Sequence, residues 1–394
     1  MQNDIRQAAD AVLAATVGRA GGAPGVVAMA TDARGNFYEG AAGRRELGTD
    51  PPMTADTVMC LFSCTKALTG VTLMQLVEEG LVSLDDPAKK HVPDIGAIQV
   101  LDGFDAKGVP KTRAPRRDIT VNDLMLHTAG FGYEFFSAED LAYRRAKGIP
   151  TIIANCYDAI KSVLLFDPGE RWNYGVNIDW IGKVVEAVRG RRLGEVMAEH
   201  LFMPLGMADT AFVLTPAMQS RRASLHMRAP DGKLTPVPDL VLPQPPEMDM
   251  GGHGLYGTAG DYMKFIRMLL NDGAGANGRV LRAETVQRMS RNGLGALKSG
   301  GWVTSNPSLS NTGEFFPGLS KSWAYTFMVN DEDAPTGRPA GSLMWAGLGN
   351  LYYWIDRKNG IGGFWGTQIL PFQDVASYPG FVDFESAVYR CLKR

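Results

Sequence analysis

The sequence predicts an α+β fold of the α/β-sandwich kind, with an antiparallel sheet flanked by helices and a helical subdomain beside it. Three observations point there. Short aliphatic and aromatic stretches lie at both ends of the chain, apolar residues at three- and four-residue spacing fill the middle, and a helical pattern closes the C-terminus.

The elements follow in order. "MQNDIRQAADAVLAATVGRAGGAPG" opens the chain as an amphipathic helix ended by glycines. "GVVAMATD" (Gly25–Asp32) and "NFYEGAAG" (Asn36–Gly43) flank "ARG" and predict a hairpin. A helix apolar on nearly every side begins near Ser63, with Leu68, Val71, Leu73, Leu76 and Val77 implying burial. Helical spacing returns in "ITVNDLMLHTAG", "NIDWIGKVVEAVRG", "LGEVMAEHLFMPLG" and "TAGDYMKFIRMLLNDG". Thr258, three residues before Asp261, resembles a capping box at the start of the last of these. The Pro- and Gly-dense "LVLPQPPEMDMGGHG" (240–254) predicts a return connection. "SWAYTFMVN" (322–330), "GSLMWAG" (341–347), "LYYWIDR" (351–357) and "GIGGFWGTQIL" (360–370) predict an antiparallel meander, and residues 382–392 a final helix. This order assigns residues 1–80 and 255–394 to one α/β domain and 81–254 to a mainly helical subdomain, with the active site between them.

Composition narrows the function. With 394 residues, 45% of them apolar, the chain can bury a sizeable core. Its 40 Lys and Arg against 42 Asp and Glu leave a formal charge of −2, which supplies no field to gather nucleic acid or an anionic membrane. A small-molecule substrate is the expected partner, and oligomeric state is left open. The first residues carry charges of both signs and no long apolar run, so neither a signal peptide nor a membrane anchor is expected and the default location is cytoplasmic. Cys60, Cys64, Cys156 and Cys391 have no secretory context and form no metal-ligand set, which suits reduced thiols.

In "MCLFSCTKALTG", Ser63 and Lys66 lie three residues apart and so share a helix face. A capping Ser followed by an exposed Lys is the plain alternative, and roughly one Ser-x-x-Lys arises by chance in a chain of this size. Two features weigh against it. Cations are disfavoured in the first turn of a helix, and an unpaired Lys is costly on a buried one. A desolvated amine can remove or relay the Ser proton, which is the activation a serine nucleophile needs. Further on, Tyr174 in "PGERWNYGVNIDWIG" follows a Pro-Gly turn, where its phenol can reach either a neighbour or water. In "WAGLGN" (345–350), Gly347 admits close approach of a backbone or ligand, or marks a bulge.

Taken together, Ser63-x-x-Lys66, a Tyr after a Pro-Gly turn and a late strand with small-Gly resemble the ordered motifs of the penicillin-recognising serine hydrolases, whose fold is β-lactamase/transpeptidase-like. The resemblance is greatest to the branch of family VIII carboxylesterases and fungal lovastatin-type acyltransferases. "LMLHTAG" (124–130), "PGERWNYG", "PLGMADTAF" (204–212) and "GGHGLYGTAGDYMKF" (251–265) extend it in family order over nearly the whole chain. It implies that Ser63 is the acylated nucleophile, Lys66 its activator and Tyr174 the proton shuttle, with the oxyanion held by the backbone N–H groups of Ser63 and Leu348. It implies no cofactor.

Two positions depart from the β-lactamase pattern. The Asn of Tyr-x-Asn is replaced by Val176, with Asn177 one place late, and Lys-Thr-Gly is replaced by Trp345-Ala346-Gly347. The cation that meets a substrate carboxylate is thereby lost. A pocket of Trp345, Gly347, Tyr133, Phe135 and Trp365 is expected, suited to an uncharged acyl group or alcohol; Arg338 or Lys321 could restore a cation only by reaching into it. The function expected is a serine carboxylesterase acting on neutral short-chain esters through an acyl-Ser63 intermediate. A lovastatin-type acyltransferase, a weak β-lactamase and a sensor acylated without turnover are the alternatives. The chain has no G-x-S-x-G elbow and no H-E-x-x-H, and His127 and His253 fit structural roles. "GGHGLYGTAG" follows a Pro-rich connection rather than a parallel strand, which argues against a dinucleotide site.

Overall fold

A computed structural model gives the fold of residues 2–392. One sheet organises it. Its strands are β1 (Gly25–Asp32), β2 (Asn36–Gly43), β3 (Lys321–Trp323), β4 (Met328–Asn330), β5 (Leu343–Gly347), β6 (Leu351–Asp356) and β7 (Ile361–Gly366), in the order β3-β4-β5-β6-β7-β1-β2. Every neighbouring pair is antiparallel. The C-terminal meander pairs each strand with its predecessor, and β7 then takes β1 as its neighbour. The two ends of the chain thus close one sheet, as their shared strand pattern predicts.

Side chains alternate across a strand, so consecutive residues of β7 serve opposite layers. Trp365 packs against Phe384 of the last helix, α5 (Ser377–Leu392), which lies with α1 (Gln2–Gly18) on one face. Phe364 packs against Tyr262 of α4 (Ala259–Leu270) on the other. Helix α2 (Thr65–Glu78) is buried from Thr65 to Leu76 on all sides, as a helix without a polar stripe must be. Helix α3 (Asn177–Arg189) packs on α2 and belongs to the segment between the two sheet-forming ends.

Three details differ from expectation. Residues 322–330 make two strands, because Ala324 N–H bonds to Phe327 O at 2.8 Å and Thr326 takes φ +71°, turning the chain between β3 and β4. Helix α5 starts at Ser377 rather than near 382, with Pro379 in its first turn, where a missing N–H costs little. At α4, Thr258 accepts from Asp261 N, but the Asp261 carboxylate turns to Asp209 N and Thr210 Oγ1, so only half of the capping box forms. Residues 240–254 are an irregular connection, as expected. At its end a Cβ on Gly251 would lie 2.8 Å from Ile178 O and 3.0 Å from Thr69 Cγ2, so this turn fits against α2 and α3 only without side chains. Among the described residues no helix is long and apolar enough to cross a membrane, and the four cysteines are free.

Candidate active site

Ser63 sits in the one-turn 3-10 segment Phe62–Cys64 that leads into α2. Phe62, just before it, takes φ +44°, a region few non-glycine residues enter, so the turn presenting Ser63 is strained. Lys66, in the first turn of α2, is fully buried. Its Nζ makes three hydrogen bonds: 3.3 Å to Ser63 Oγ, 2.8 Å to Tyr133 Oη and 2.7 Å to Gly252 O. A carbonyl can only accept, so Lys66 must donate to Gly252 O whatever its charge. A neutral amine has two N–H groups and one lone pair, which is enough to serve Gly252 O and Tyr133 Oη and still face the Ser63 hydroxyl proton.

Tyr174 lies at the loop end before α3, half-buried, with the Lys66 amine 4.7 Å from its ring centroid. Its phenol oxygen accepts a 3.0 Å hydrogen bond from Trp345 Nε1 on β5. Gly347, two residues on, lies so near the Ser63 turn that a Cβ would stand 2.4 Å from Leu61 O. Close backbone approach therefore decides between the two sequence readings of this glycine.

Ser63, Tyr174, Trp345 and Leu348 border one cavity of about 290 Å³, walled largely by aromatic rings that include Tyr133, Phe135, Trp172 and Phe315. Most of the expected pocket is thus brought together. Trp365 is the exception and is corrected here. The sheet register sets Trp345 opposite Tyr353 and Tyr353 opposite Phe364, so those three share a face, and Trp365 points to the other one. It is wholly buried, with Nε1 donating to Ser377 Oγ under α5. Neither basic candidate reaches the cavity: Arg338 is buried beside Glu385, and Lys321 is paired with Glu314. Asn177 also turns away, its amide on His127 Nδ1 at 2.9 Å.

Burial governs the charges. It pulls the Lys66 ammonium well below the usual lysine range and pushes the Tyr174 phenol up, with Ser63 and Trp345 pulling the phenol the other way. Burial raises the Tyr133 phenol as well. His253 lines the cavity, but its Nε2 is tied to Asn155 Oδ1 and burial lowers it to about 3, which keeps it neutral.

Sequence reasoning missed three participants. Tyr133 was expected as a wall and is a direct partner of Lys66. Gly252 was given no role of its own within "GGHGLYGTAG" and supplies the carbonyl that Lys66 needs. Asp179 on α3 was not singled out; it is fully buried and accepts a 2.7 Å hydrogen bond from Gly252 N through Oδ1. An acid in the first turn of a helix is ordinary, which hid it.

Comparison with known proteins gives the family. The chain matches the family described as Beta-lactamase over residues 5–380. It is 31% identical over 388 residues to the monacolin J acid methylbutanoyltransferase of Aspergillus terreus, covering 93% of this chain and 91% of that one. It is 32% identical over 371 residues to the lovastatin esterase of Penicillium rubens, covering 88% and 89%. A mutant of the simvastatin synthase from Aspergillus terreus superposes with a TM-score of 0.87 at 30% identity, over 99% of this chain and 98% of that one. The chain belongs to the beta-lactamase family, within its serine hydrolases and acyltransferases.

Proposed function

We propose that the protein is a serine carboxylesterase that hydrolyses neutral esters through an acyl-Ser63 intermediate. The observation that carries this is the fully buried Lys66 amine 3.3 Å from Ser63 Oγ beside an aromatic cavity. Neutral Lys66 takes the Ser63 proton as Oγ bonds to the ester carbonyl carbon, and the N–H groups of Ser63 and Leu348 hold the oxyanion. The bond to the alcohol oxygen then breaks, and the Lys66 ammonium returns its proton to that oxygen by way of the Tyr174 phenol. Water repeats the sequence on the acyl-enzyme and releases the acid. The test is turnover of p-nitrophenyl butyrate beside the Ser63→Ala variant, whose undiminished activity would end this reading.

Acyl transfer to an alcohol is the second reading. It is favoured by the apolar, aromatic lining of the cavity and by a relative that bears the name of a methylbutanoyltransferase; a relative named as an esterase favours hydrolysis. Mass analysis of products in dilute alcohol separates the two, because transesterification faster than hydrolysis reverses their order.

A further inference from the structure

We propose that Asp179 is the positioning residue of this centre, holding Lys66 through Gly252 and supplying the counter-charge that lets the amine sit dry beside Ser63. Gly252 joins them with both of its polar groups: its N–H donates to Asp179 Oδ1 at 2.7 Å, and its carbonyl accepts from Lys66 Nζ at 2.7 Å. The fit leaves no room for a side chain, since a Cβ on Gly252 would lie 2.4 Å from Asp179 Oδ2. Asp179 Oδ2 itself is buried without a hydrogen-bond partner. A carboxylate so placed is costly to keep unless a cation shares its surroundings, and a buried ammonium needs the reverse.

The other groups facing the pair do not supply that balance. Tyr133, Tyr174 and Cys64 are pushed up by burial and stay neutral. His127 and His253 are pulled down and stay neutral, although His253 Nδ1 is 3.8 Å from Asp179 Oδ1. Arg144 acts on Asp179 from a distance, but its Nε is taken by Asp140 at 2.9 Å, with Glu134 beyond at 3.6 Å. Lys66 and Asp179 are thus the two groups of this network whose charges can balance each other: the carboxylate offsets the ammonium whenever Lys66 holds the proton, at rest below its lowered pKa or after taking it from Ser63. The catalytic consequence rests on the acyl-Ser63 reading; the coupling between the two residues does not.

The test is a thermal-unfolding cycle at about pH 7, where both side chains are ionised in the unfolded chain. Asp179→Asn should lower Tm in the native background by stranding the amine. In the Lys66→Met background it should raise Tm, because it removes a carboxylate left without its cation. This reversal of sign reads no activity, so it stands apart from the esterase assignment. A Lys66→Met/Asp179→Asn protein no more stable than Lys66→Met overturns the proposal, whether or not Asp179→Asn folds alone. Where Asp179→Asn is active, the acid limb of its kcat/KM profile should move about one unit to lower pH, since loss of the anion lets Lys66 shed its proton earlier. An unmoved limb would reduce Asp179 to a structural part and overturn the proposal equally.

Discussion

The indole Nε1 of Trp345 donates a 3.0 Å hydrogen bond to the phenol oxygen of Tyr174, so the residue standing where β-lactamases carry a cation holds, with a neutral donor, the phenol proposed as the proton shuttle. The bond joins a strand of the sheet to the loop before α3, across the cavity. Trp345→Phe keeps the aromatic wall and removes only the donor. We expect kcat on a neutral ester to fall about ten-fold, the worth of one hydrogen bond, with little change in KM. A rise in KM alone, with kcat intact, would show the indole to be simple packing.

The pH profile follows from Lys66. Its amine must be neutral to take the Ser63 proton, and burial lowers its pKa. Activity should therefore be lost as pH falls through the lowered value and be fully present above it, with the limb well below the ordinary lysine value of about 10.4. The buried Tyr174 phenol, shifted upward, should stay protonated through this window. Sequence alone does not choose between Lys66 and Tyr174 as the base, and the upward shift of the desolvated phenol favours Lys66. A limb first appearing near the ordinary lysine value would remove Lys66 from the role of base.

Much of this site was legible because its parts are local. Ser63 and Lys66 are three residues apart, on the 3-10 turn and the first turn of α2 that continues it, and Gly347 advertises a close approach within one strand. Trp365 was misplaced because its face depends on counting alternation through three paired strands, from Trp345 by way of Tyr353 to Phe364. One step along β7 sends a side chain to the opposite layer. Asp179 and Gly252 were illegible for another reason: they lie 73 residues apart and meet only when the connection before α4 folds back on α3. The turn at Thr326 was hidden by an aromatic run that reads equally well as one long strand.

Gly347→Ala tests the seam between β5 and the Ser63 turn. A Cβ there would stand 2.4 Å from Leu61 O and 3.3 Å from Cys64 Sγ, and a backbone carbonyl cannot swing aside as a side chain can. Overpacking of this kind costs on the order of 1–3 kcal/mol. It would also push Leu348 away from Ser63. A lower Tm together with a kcat loss of roughly 10² or more is expected, the scale of one missing oxyanion donor. Full activity in this variant would mean that the oxyanion is held elsewhere.

Substrate charge supplies the last prediction. A penicillin presents a carboxylate, and a charge-assisted hydrogen bond to it is worth about 1.5–3 kcal/mol, a factor of roughly ten to a hundred. The cavity offers none from a cation: its titratable lining is Tyr133, Tyr174 and a neutral His253. Arg338 is held beside Glu385 and Lys321 beside Glu314, so neither repairs the loss. Aromatic walls reward apolar acyl and alcohol groups and give an anion nothing for its lost hydration. Neutral short-chain esters should turn over well, and nitrocefin poorly or not at all. Replacing Trp345 with Lys should narrow that gap by restoring the cation, at the cost of the indole bond to Tyr174. Comparable kcat/KM for nitrocefin and p-nitrophenyl butyrate in the native protein would show that something other than a cation secures the carboxylate.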